Sequence, residues 1–195
     1  MERLAQDALE PGLLARARLV SIKDWWTGYS AIAPIGQDFE LRPGPKGFAG
    51  TARFSVGSGK GPGYAEVDIS VPPRAVRKFF RLIATARLER GEYVPYFSHT
   101  DDFPSIEILL ELPSGELVFS SRSQGVDRAP WRCEVRGETY TINSGTPMTA
   151  LDALRPYLRR DTLDEVISAI PTEGPVISRA AGGGRGRRAG RRRTG

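Results

Sequence analysis

The 195-residue chain is 39% hydrophobic and 26% charged, which fits one globular domain with a real core and is too short for two of ordinary size. No apolar run approaches the roughly 20 residues of a membrane span, and the first 14 residues, with Glu2, Asp7 and Glu10, lack the basic start and apolar stretch of a secretory signal. The formal charge of +5 is a property of the C-terminus: Arg185, Arg187, Arg188, Arg191, Arg192 and Arg193 have no acidic residue among or after them, and taking these six from 28 basic residues leaves 22 against 23 acidic ones. The body before residue 185 is therefore near neutral, and any strong attraction to an anion belongs to the tail. Cys133 is the only cysteine, which excludes an intramolecular disulfide, Cys-x-x-Cys redox chemistry and a four-cysteine zinc site. A cytoplasmic protein is expected.

In chain order, residues 2–9 are a marginal helical segment stopped by Pro11 and Gly12. A first strand runs over 16–22 into the aromatics Trp25, Trp26 and Tyr29. Residues 39–41 and 48–56 flank the turn-rich segment from Arg42 to Gly47 as a hairpin, with Ala52, Phe54 and Val56 alternating against Thr51, Arg53 and Ser55. Gly57 to Gly63 connects to a strand over 65–71, where Ala65, Val67, Ile69 and Val71 alternate with polar residues. Pro72-Pro73 then opens the principal helix, over 74–88, with Val76, Phe79, Phe80, Ile83 and Leu88 at helical spacing. Two hairpins follow, 106–112 with 117–121 and 131–135 with 139–143, each around a short turn. Thr146 and Pro147 begin a helix with the stripe Met148, Leu151, Leu154 and Leu158, and a further helix is expected over 161–170.

The fold class is α+β: a two-layer domain whose twisted, mainly antiparallel sheet is covered on one face by the internal helix and the C-terminal helices. The domain spans 16–171, after a marginal segment at 1–15. Residues 172–195 form an Arg/Gly-rich tail too poor in apolar side chains to repay its ordering entropy, so disorder is expected there.

Two loops, 92–104 and 122–131, hold the candidate binding residues Tyr96, Phe97, Phe103, Ser123, Gln124 and Trp131. Loop aromatics supply a large apolar contact with a polar handle. The sole histidine, His99, lies beside Asp101 and Asp102, a grouping that offers a general base with an orienting carboxylate. These acids are also ordinary turn formers ahead of Pro104, and one histidine cannot make a His-rich zinc site. The stretch from Gly57 to Gly63 lacks the spacing and the following helix of a phosphate-binding loop, and no Gly-x-Ser-x-Gly elbow is present. Cys133 alternates with Arg132 and Glu134 as a small core residue would.

The tail resembles the arginine-glycine segments of RNA-associated proteins over about residues 179–195, without their aromatics or repeated Arg-Gly-Gly units. Six phosphate contacts imply a salt slope of roughly −5 and non-specific binding. The excess of arginine over lysine, 24 to 4, is also what a GC-rich genome would encode without selection for binding. The expectation is a non-enzymatic cytoplasmic binding protein, without metal, cofactor or membrane contact, whose tail adds non-specific nucleic-acid affinity. The alternatives are a small hydrolytic or metal-dependent enzyme centred on His99, Asp101 and Asp102, and a subunit of a larger complex.

Overall fold

The computed structural model of the chain describes residues 2–25, 34–56, 63–95, 105–123 and 128–158. Eight strands run through these residues: β1 (Leu19–Trp25), β2 (Pro34–Gly44), β3 (Gly47–Val56), β4 (Gly63–Val71), β5 (Ser105–Leu112), β6 (Gly115–Ser121), β7 (Trp131–Val135) and β8 (Glu138–Ile142). All pair antiparallel in one sheet of order β4-β3-β2-β1-β5-β6-β7-β8. The helices are α1 (Glu2–Asp7), α2 (Pro11–Leu14), α3 (Pro73–Ile83) and α4 (Thr146–Asp152), followed by a 3-10 turn at Arg155–Tyr157. The fold is strand-rich α+β.

Period-two alternation drives the sheet. Along β5 the positions alternate between half-buried and buried, with Ile106, Ile108, Leu110 and Leu112 inward. The register carries this inward face across the sheet: Ile108 stands opposite Ile22 and Phe119, and Ile22 opposite Phe39. A one-residue slip would turn every one of these side chains out to water, so burial fixes the register. Two-residue connections at one end reinforce it. Arg136 (φ 52°) and Gly137 (φ 80°) both take positive φ between β7 and β8, the backbone that matches the twist of a hairpin. The inward residues of the strands and the apolar residues of the helices belong to one hydrophobic cluster, in which Phe80 of α3 meets Phe48 of β3 edge-on at 6.1 Å.

Three differences from expectation have local causes. The N-terminal segment is not marginal: Ala5, Ala8, Leu9 and Leu14 are buried in the core, and the Gln6 side chain donates to the Ala86 carbonyl (2.9 Å) and accepts from the Leu88 amide (3.2 Å). Those bonds stabilise the non-helical course of residues 84–88, so α3 stops at Ile83 and not at Leu88. Glu89 then exchanges both backbone hydrogen bonds with Thr141 and protects the β8 edge. Finally, β1 lies three residues later than periodicity suggested, because α2 and its following turn occupy 11–17. The expected helix over 161–170 and the arginine tail lie outside the described residues.

Candidate functional site

Of the residues singled out in the sequence, His99, Asp101, Asp102, Tyr96, Phe97, Phe103 and Gln124 lie outside the described residues, as do the six tail arginines. Ser123 and Trp131 are described and both are fully buried. Trp131 faces inward at the start of β7, opposite Ile142, so its indole is part of the core and offers no outward contact surface. Cys133 is also inward, and burial pushes its thiol up to about 12, with Glu134 adding to the shift.

The register gathers one set of strand ends. Trp25 pairs with Gly36 and with Ser105, Pro34 with Val56, Val56 with Gly63, and Ile106 with Ser121. The described ends on either side of 26–33, 57–62, 96–104 and 124–127 therefore meet at a single end of the sheet. Both connections singled out in the sequence leave from this end.

On the inward side of that end, Asp24 pairs with Arg128 at 3.0 Å, their side chains only 9% and 20% exposed. Arg128 takes a positive φ of 48°, uncommon for a side chain of its size. The Ser121 hydroxyl lies within bonding distance of the carbonyls of Arg128 and Pro130, 3.1 Å from the latter, and accepts from the Ser123 amide at 3.2 Å. These bonds tie the chain entering β7 to β1 and β6. An ion pair this sheltered from water is screened less than a surface pair, and removing one partner leaves the other poorly solvated.

The outward side is polar and ordered in sign. One cross-strand row reads Glu66, Arg53, Asp38, Lys23, Glu107, Ser120 and Arg132, each opposite the next. Charges alternate along it except at Ser120. Lys23 bonds Glu107 at 3.1 Å, Arg53 pairs with Glu66, and Arg132 bonds Glu134 on its own strand at 2.9 Å. Opposite charges across strands favour this register, and their near balance leaves little net field over the middle of the sheet.

The next row toward the gathered ends holds Ser55, Gly36, Trp25 and Ser105. The Trp25 ring lies over Gly36, where an added Cβ would sit 2.7 Å from ring carbons. Only glycine leaves that space. The Trp25 indole N–H donates to Asp38 at 3.0 Å, which fixes the ring while 38% of the residue stays exposed. Tyr93 then closes the arrangement from the far side: its hydroxyl accepts the Arg122 backbone N–H at 2.9 Å. Between Trp25 and Tyr93 is a groove of about 650 Å³, floored by Lys23, Glu107, Ser120 and Arg132 and bordered by Ser105 and Arg122.

No family model, curated protein or solved structure matches the chain. The chemistry of the groove is thus read from its own side chains. Three cations face two carboxylates there, Lys23, Arg122 and Arg132 against Glu107 and Glu134. Lys23 and Arg132 are each bonded to one of these acids, whereas the exposed Arg122 guanidinium has no carboxylate partner among the described residues. Among those residues no group of three His, Cys, Asp or Glu is placed to hold a metal ion, and no helix is long and apolar enough to cross a membrane. The sequence marks Trp25 as the start of an aromatic cluster but does not bring it together with Tyr93, Lys23, Ser105, Ser120 and Arg122. The outward charges at alternate positions were visible, but which ones stand opposite each other requires the register.

Proposed function

We propose that the protein is a non-enzymatic cytoplasmic binding protein that takes its ligand in the groove between Trp25 and Tyr93. The observation that carries this reading is the Tyr93–Arg122 hydrogen bond, which joins the segment opening at 92 to the one opening at 122 beside an exposed indole. A fixed aromatic surface next to polar side chains held in known positions is how a small pre-formed site orients a ligand. The helices are read as a second layer over the inward face of the sheet, in keeping with the shared core and the Phe48–Phe80 contact, which leaves the outward face open for binding. The arginine tail adds weak, salt-sensitive affinity for nucleic acid.

A thermal-shift panel of nucleotides, sugar phosphates, amino acids, organic acids and short peptides tests the reading, since whatever binds the folded state raises its melting temperature. At least one compound is expected to stabilise the native chain and to lose that effect in Trp25→Ala and in Arg122→Gln. Stabilisation that survives both substitutions for every active compound, or no active compound at all, contradicts it.

A further inference from the structure

We propose that the ligand is a nucleoside phosphate, its base stacked on the Trp25 indole and its phosphate held by Arg122. The inference rests on the groove being the binding site. Because the indole N–H is already given to Asp38, what Trp25 offers a ligand is ring surface, which suits a planar partner. Val94, between the lining residues Tyr93 and Pro95, is the other exposed large hydrophobic among the described residues. Arg122 follows Ser121, which pairs with Ile106, and so stands across from Ser105, itself opposite Trp25. The backbones of Trp25 and Arg122 are thus two strand spacings apart, roughly 10 Å, and the indole, which lies over Gly36 on β2, extends up to about one spacing farther. That distance suits a base and the phosphate it carries once the arginine side chain reaches inward.

Charge selects the anion. Lys23 and Arg132 are held by Glu107 and Glu134, which among the described residues lining the groove leaves Arg122 as the cation available to an incoming group, with the Ser105 and Ser120 hydroxyls as neutral donors. A guanidinium presents paired donors that match phosphate oxygens. The six tail arginines, with no acidic residue among them, extend the same preference. Stacking on a fixed aromatic with a polycation tracking the backbone is how single strands are bound without sequence preference. A free nucleotide and a nucleotide within a single strand share this chemistry.

Calorimetric titration of the full-length chain with adenosine monophosphate, adenosine, inorganic phosphate and an oligoadenylate tests the proposal. The monophosphate is expected to bind roughly tenfold more tightly than adenosine, the difference a charge-assisted hydrogen bond makes, and more tightly than phosphate alone. Trp25→Ala should weaken it about tenfold, as loss of a base-stacking ring does, while Trp25→Phe retains most of the affinity. Arg122→Gln, an exposed change that leaves the core untouched, should erase the preference for the monophosphate and leave adenosine unaffected. An oligoadenylate that binds more tightly than the monophosphate, and through Trp25, identifies a single strand as the source; the reverse order identifies a free nucleotide. Monophosphate binding no tighter than phosphate, or indifferent to both Trp25→Ala and Arg122→Gln, overturns the proposal. If another compound class then stabilises the chain through Trp25 and Arg122, the nucleotide assignment alone falls; if none does, the groove reading falls with it.

Discussion

Cys133 illustrates how far one residue can be read without a structure. Its place in an alternating strand between Arg132 and Glu134 predicts an inward thiol, and the thiol is fully buried. The consequence is a pH dependence. Between its ordinary value of 9.0 and its folded value of about 12 the unfolded chain releases the thiol proton and the folded chain keeps it. The contribution is therefore intact below pH 9 and is lost as pH rises toward 12, by an amount on the order of 4 kcal/mol at the upper end. Tyr140 acts in the same direction, its phenol raised chiefly by the hydrogen bond it donates to Glu138. The informative comparison is thus native chain against Cys133→Ala. Urea unfolding across the alkaline range should give a visibly shallower decline for the variant; parallel declines would mean that the thiol is not sheltered. Trp131 was the harder residue. As a tryptophan at a loop boundary it read as a contact, and only the pairing with Ile142 turns it inward.

At the scale of elements, hairpins were legible because alternation and short turns are local, and all eight strands overlap segments predicted as β. The ends of α3 and β1 were not. They depend on Gln6 reaching 80 positions along the chain and on α2 filling the space before β1, neither of which leaves a periodic trace. The outward charge row was likewise hidden, although each of its members is plain in the sequence. It makes a specific prediction. Lys23→Glu places three like charges in succession at Asp38, position 23 and Glu107 and should cost about 1 kcal/mol, while adding Glu107→Lys should restore most of it. These are exposed groups in a screened setting, so the effect should shrink in high salt. Denaturant unfolding of the single and double variants checks both statements; a double variant no more stable than Lys23→Glu would remove the row from any account of register.

At the scale of the molecule, two features of different origin bear on the proposed binding. The groove is a product of register, since only the stacking order β2-β1-β5-β6 puts Trp25, Ser105 and Arg122 side by side. The tail is a product of composition, and its six arginines were readable at once. Where the proposed ligand is part of a single strand, a near-neutral body and a cationic tail should divide the work of binding it. The groove contributes stacking, which changes little with salt, and the tail contributes counterion release, which changes steeply.

The most direct test is fluorescence anisotropy of a labelled oligoadenylate with the full chain, with a chain ending at Ser178, and with Trp25→Phe and Trp25→Ala in each, at low and high salt. Every buried side chain of the described core is retained when the chain ends at Ser178. The account predicts that the shortened chain still binds, more weakly, with little salt dependence and through Trp25, and that the tail adds a salt-steep increment. Binding that vanishes entirely with the tail, or that persists in the shortened chain without regard to Trp25, would contradict it.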